Sequence, residues 1–116
     1  MQASTQVFIS YKREYIDFAK RVADKLRDWG YVPWLDVERI RPGENWDNSV
    51  FEGLKSSQVI VGVVTPESVK SENVRDEWAW ARANSMPFIP LRLRNVPISD
   101  IPHTVIRVQH IDFTLD

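Results

Sequence analysis

The run VIVGVV, residues 59–64, limits what this chain can fold into. Six consecutive apolar or glycine residues without alternation suit a strand covered on both faces. Such a strand lies inside a parallel sheet, and parallel neighbours need long crossover connections, normally helices. Flanking segments supply both parts. QVFIS (6–10) reads as a first strand, YVPWLD (31–36) as a second, FIPLRL (88–93) as a fourth and VQHIDF (108–113) as a fifth. Ile16, Ala19, Val22, Ala23 and Leu26 recur at helical spacing, with Gly30 placed to end that helix. Pro33, inside the second strand, suits a sheet edge. VERIRPGEN (37–45) reads as a loop turning at Pro42-Gly43. Trp46, Val50 and Leu54 mark a further helix with Asn45 as N-cap, and Ser71 caps another after strand 3. Residues 94–107 hold at most a short helical turn. Alternating strands and helices with right-handed crossovers predict an α/β, flavodoxin-like three-layer fold: a five-stranded parallel sheet in the order 2-1-3-4-5. At 116 residues the chain suits one domain, 1–116, which is also the size of a module excised from a longer protein.

Composition removes several function classes. A net charge of -1 provides no basic face for nucleic acid. With no cysteine there is no disulfide, thiolate zinc site or Cys nucleophile. His103 and His110 are the only imidazoles, so a metal site is not expected. The start, MQASTQVFIS, lacks the pattern of a secretory signal, and residues 59–64 are too short to cross a membrane. A cytoplasmic location is the expectation.

In this fold class ligands collect beyond the carboxyl ends of the strands, where the strand order reverses. The segments leaving those edges are Ser10-Tyr11-Lys12-Arg13, Asp36-Val37-Glu38-Arg39, and Thr65-Pro66 leading into SENVRDEWAWA (71–81). That last stretch has three acids. On a helical wheel Val74, Trp78, Ala81 and Ser85 fall within roughly 60° and define the buried face. Glu72 and Asp76 point away from it, into solvent. Glu77 lies at the boundary, about 70° from the middle of the stripe, where aromatic neighbours can half-desolvate it beside a cleft. A boundary glutamate is more often structural than functional. Lys12, Arg13, Arg39 and Arg41 cluster near the same edge and suit phosphate or pyrophosphate, although exposed cations on loops also occur without a ligand. Together with Glu77 they suit an anionic ligand that has a cationic reacting centre.

Other chemistries do not fit. The turn after strand 1, SYKREY, has no glycine for a dinucleotide-binding Rossmann turn or a P-loop. Strand 3 ends Val64-Thr65-Pro66, without the aspartate of a phospho-acceptor domain. Neither histidine lies near the edge for a serine hydrolase.

In order and spacing, VFISYKRE, WLDVERIRPGENW, VIVGVVTPESVKSENVRDEW, IPLRL and HIDFT resemble the conserved boxes of Toll/interleukin-1 receptor (TIR) domains, over about residues 6–114. The resemblance implies one of two functions. Some TIR domains cleave NAD+ at the nicotinamide–ribose bond, in bacteria, plants and the animal axon-degeneration protein; others are assembly scaffolds. Glu77 matches the glutamate the enzymes require. Lys12-Arg13 matches a basic pair after FISY, and Asp36-Val37-Glu38 an acid-bearing segment. The implied reading is an NAD+ glycohydrolase with catalytic Glu77 and a substrate site formed by Phe8, Ser10, Tyr11, Lys12, Arg13, Glu38, Arg39 and Trp46. NAD+ is then the substrate, with no cofactor or metal, and the products are nicotinamide with ADP-ribose or a cyclic variant. The resemblance further implies activation by self-association, movement of loop 37–45 on assembly, and an immune or defence role. The alternative is a non-catalytic scaffold for homotypic assembly. Enzymatic members often have a tryptophan one helical turn before the glutamate, and this chain has Asn73 there. Trp78, Trp80, Trp46 and Trp34 are the candidate replacements.

Overall fold

A computed structural model of the chain describes residues 5–40, 42–43, 45–101 and 111–112, without the side chains of residues 98, 111 and 112. Arg41, His103 and His110 lie outside the described residues. The strands are β1 (Gln6–Ser10), β2 (Val32–Trp34), β3 (Val59–Val64), β4 (Phe88–Arg92) and β5 (Ile111–Asp112). They form one parallel sheet in the order β2-β1-β3-β4-β5, as expected for the flavodoxin-like class. The expected strand 108–113 is described only at its two β5 residues.

Each strand's chemistry matches its place. Ile60 to Val64 of β3 are buried, because packed side chains cover both faces of this central strand. Pro33 sits in β2, which pairs only with β1, so its missing N–H removes no sheet hydrogen bond. Phe8, Trp34, Leu54, Ile60, Val64, Val74 and Trp78 build the core on one side of the sheet. On the other, Ile9, Ala19, Ala23, Leu35, Val7, Val61 and Leu91 pack beneath helix α1 (Ile16–Asp28). Gly30 ends α1 in the left-handed region, at φ 88°. The N–H of Gly30 donates to Arg27 O and that of Tyr31 to Leu26 O, which ties the chain back onto the last turn of the helix.

Glycine in β3 has a packing cause. A Cβ on Gly62 would lie 2.5 Å from a Phe88 ring carbon and 2.9 Å from the Trp78 indole nitrogen. Two aromatic side chains therefore occupy the space any other residue would need.

Four local expectations change. β2 stops at Trp34, and Asp36–Arg39 forms a single helical turn, α2, at the start of the expected loop 37–45. The Glu38 N–H donates to Leu35 O and the Ile40 N–H to Asp36 O, which closes that turn. α3 (Trp46–Lys55) starts as expected, with the Asn45 side chain accepting from the Asn48 N–H. After β3 the chain forms α4 (Pro66–Lys70), nucleated by a Thr65–Ser68 capping box, before α5 (Glu72–Ala83). Ser71 ends α4 and caps α5 by accepting from the Val74 N–H. α5 then ends before Ser85, which adopts φ 55° and is exposed rather than part of the buried face. Between β4 and β5 the described chain makes one 3-10 turn, Ile98–Asp100.

Candidate functional site

A cleft of about 460 Å³ opens beside the carboxyl ends of β1 and β2. Tyr11, Lys12 and Arg13 line it from the end of β1, and Asp36 from the end of β2. Trp46, Asp47, Val50, Phe51 and Leu54 of α3 form one wall. Ser71 and the α5 residues Asn73, Val74, Asp76, Glu77 and Trp80 complete it. Val74 and Trp78 of α5 are buried against the sheet, which turns Glu77 toward the opening.

Glu77 is partly buried, and its carboxylate is held from below. The Ser10 hydroxyl donates to Glu77 Oε1 at 2.7 Å. Ser10 is itself only 1% exposed, and its oxygen accepts from the Trp78 indole N–H at 3.0 Å. Burial raises the Glu77 pKa from 4.5 to about 7; the Ser10 bond opposes the rise, and the charges of Asp36 and Asp76 add to it. The group therefore stands near the point of exchange between acid and carboxylate at neutral pH.

A second carboxylate faces the cleft. Asp36 Oδ1 accepts from the Tyr11 hydroxyl at 2.6 Å and from the Val37 N–H at 2.8 Å. Burial and that carboxylate push the Tyr11 phenol well above its ordinary pKa, so Tyr11 stays a neutral donor. The Arg13 guanidinium lies 5.2 Å above the Trp46 ring and 3.9 Å from Asp36 Oδ2, with its side chain 62% exposed. Contacts this long and this wet hold it weakly. On the far wall Phe51 and Trp80 meet edge to face at 5.8 Å.

Of the residues expected from sequence, Glu77, Tyr11, Lys12, Arg13 and Trp46 share this cleft, with Ser10 directly beneath the carboxylate. Three do not line it. Phe8 is 2% exposed and stacks on Trp34 at 5.2 Å inside the core, because it faces inward from β1. Glu38 pairs with Arg27 of α1, and Arg39 donates to Pro33 O at 3.3 Å; the α2 turn carries both past the opening. Asp36 occupies the place expected of Glu38. Asp76 is exposed, as the wheel has it, but on the cleft rim. Among the tryptophans, Trp34 and Trp78 belong to the core, which leaves Trp46 and Trp80 as cleft aromatics. Asp36 carried a sequence signal as the last residue of the expected second strand; Asp47 and Phe51 carried none. Among the described residues no group of three or more metal-ligating side chains comes together, and no helix is long and apolar enough to cross a membrane.

A parallel sheet in this order, with helices packed on both faces, defines a flavodoxin-like α/β domain. The sequence model of the TIR domain matches residues 7–116, and the chain belongs to the TIR domain family. No curated protein is significantly similar in sequence. Among solved structures, the TIR domain of the Toll-related receptor TRR-2 from Hydra magnipapillata superposes with a TM-score of 0.79 at 18% identity, covering 92% of this chain and 82% of that one. A metazoan TIR-STING receptor from C. gigas, solved with 2',3'-cGAMP, gives 0.78 at 23% identity over 94% of this chain and 35% of its own. The TIR domains of the activated Roq1 resistosome, which recognises the pathogen effector XopQ, give 0.65 at 16% identity over 76% and 57%. These likenesses establish the shared fold.

Proposed function

We propose that this TIR domain is an NAD+ glycohydrolase whose catalytic group is Glu77. The observation that carries the reading is the Glu77 carboxylate held at the cleft wall by Ser10, in the same cleft as Lys12 and Arg13. Nicotinamide in NAD+ is already cationic and leaves without protonation. As the C1′–N bond breaks, its electron pair goes to nicotinamide and positive charge builds on the ribose. A fixed carboxylate beside that carbon stabilises the charge, a contribution of about 10²–10³ in rate. Lys12 and Arg13 are suited to the diphosphate. The exposed face of Trp46, or the Trp80–Phe51 pair, gives the aromatic surface that Asn73 does not supply. Water then adds to the ribosyl cation and releases a proton, giving ADP-ribose; attack by an adenine nitrogen gives a cyclic product. The likeness in fold to a Toll-related receptor and to an effector-recognising resistosome supports an immune-type signalling role.

The test is incubation of concentrated or clustered protein with NAD+, followed by chromatographic detection of nicotinamide. Glu77→Ala is expected to lower turnover at least about 100-fold. Glu72→Ala is expected to leave it unchanged, since Glu72 is exposed and does not line the cleft; Asp76 is unsuitable as that control because it does. Asn73 favours a second reading, a non-catalytic module for homotypic assembly. Intact self-association with no nicotinamide released at any concentration selects it.

A further inference from the structure

Two buried groups below the cleft touch no substrate in the chemistry described above, yet they form an uninterrupted chain to its carboxylate. The Trp78 N–H donates to Ser10 Oγ at 3.0 Å, and the Ser10 hydroxyl donates to Glu77 Oε1 at 2.7 Å. The direction of the chain is forced. An indole N–H only donates, so it takes an acceptor site of the Ser10 oxygen, and the ionised Glu77 carboxylate only accepts, so the serine proton goes to it. Each link rests on a rigid part of the fold. Ser10 ends β1 in register with Gly62 of β3, at the middle of the sheet. Trp78 is 1% exposed, lies over Gly62 in the space a Cβ would fill, and meets Phe88 edge to face at 5.6 Å.

We propose that Ser10 and Trp78 act as a positioning relay, which aims one oxygen of the Glu77 carboxylate from beneath and favours its ionised form. This rests on the NAD+-cleaving reading for its kinetic consequence only; the hydrogen-bond relay stands without it. Ser10 is the favourable partner among groups that otherwise oppose ionisation. Asp36 faces Glu77 from the end of β2 and Asp76 from its own helix, both raising its pKa as burial does. Tyr11, Lys12 and Arg13 after β1 and Asp47 on α3 border the same cleft. A donor bonded to the charged form lowers a carboxyl pKa, so removing it raises the pKa. Trp78 adds to the effect by occupying one side of the serine oxygen and polarising its O–H toward Glu77.

The experiment follows the Glu77 side-chain carboxyl by carbon NMR through a pH titration in the parent protein and in Ser10→Ala. The expected result is a midpoint near 7 in the parent, raised in Ser10→Ala. The kcat/KM profile should move by the same amount, so that activity at pH 7 falls about tenfold and recovers as pH rises. A merely structural role for Ser10 would lower activity at every pH alike. Equal midpoints in the two proteins would overturn the relay. Should Ser10→Ala fail to fold, the parent and Glu77→Gln decide: the Trp78 indole proton must titrate with the Glu77 midpoint in the parent and not in Glu77→Gln. An indole signal indifferent to pH in both proteins also overturns it. A shifted carboxyl midpoint with no nicotinamide release leaves the relay standing and defeats the glycohydrolase reading; release with unchanged midpoints does the reverse.

Discussion

Glu77 is placed where folding and chemistry make opposite demands. Burial raises its pKa from 4.5 to about 7, so between those values the folded protein holds a proton that the unfolded chain has released. Stability contributed by this group therefore falls as pH rises through that window, and the full penalty applies above pH 7. The whole shift corresponds to roughly 3 kcal/mol, reduced to about 1–2 kcal/mol because the side chain is partly open to water. Glu77→Gln keeps an oxygen to accept from Ser10 but carries no charge. It is expected to be more stable than the parent by that amount at pH 8, and by nothing at pH 4. Urea unfolding at both pH values checks this; a difference that does not change with pH would show that folding does not raise the Glu77 pKa. The activity limb runs the other way, with kcat/KM rising with pH toward a plateau above 7 because the carboxylate is the working form. The wheel placed Glu77 correctly because α5 has one dominant stripe, Val74, Trp78 and Ala81. Ser10 was named for the same site, but its bond to Glu77 was not legible: the two are 67 positions apart, and only the sheet brings them together.

Among the elements, β3 was the most legible and conceals the tightest constraint. Its apolar run announces a buried strand, but the run does not tell why the fourth residue is glycine. The packing does, since the Phe88 ring and Trp78 indole fill the Cβ position of Gly62. Gly62→Ala is expected to destabilise the domain by about 2 kcal/mol, the usual cost of overpacking a filled core. Denaturant unfolding measures it, and combining the change with Phe88→Leu should recover part of the loss. No recovery would mean that Trp78 cannot adjust, so the relay to Glu77 should be displaced too. Shorter elements were harder to read. A four-residue turn such as α2 has no periodicity to detect, and it is this turn that swings Glu38 onto Arg27 and leaves Asp36 at the cleft. Phe8 was misplaced for a related reason. Strand alternation says which residues share a face, but not whether that face ends in a cleft or, as here, beneath Trp34.

For the molecule as a whole, the sheet order followed from crossover rules, while the cleft depends on helices whose lengths and angles no local pattern specifies. The finished cleft is open. Trp46 and Phe51, which line it, remain 39% and 42% exposed, and Val37 in the neighbouring α2 turn is 36% exposed. An exposed wall is costly for the proposed reaction, because water screens Glu77 from the ribosyl cation and lets Arg13 leave its weak contacts with Trp46 and Asp36. Covering that wall would remove water, strengthen every charge interaction within, and bury apolar surface that a lone domain leaves wet. A second copy of the chain is the cover that the TIR resemblance implies, with loop 37–45 as the part that adjusts. Turnover per subunit is therefore expected to rise with protein concentration, and to rise further when the domain is fused to a multimeric carrier. The comparison is nicotinamide release per subunit across a hundredfold dilution, with and without the carrier. A dependence on concentration that persists in Phe51→Ser, where one of the apolar contacts is weakened, would move the assembly surface away from the cleft. Turnover that is constant throughout would mean that the monomer already holds a complete site, with Trp46 and Trp80 alone shielding Glu77.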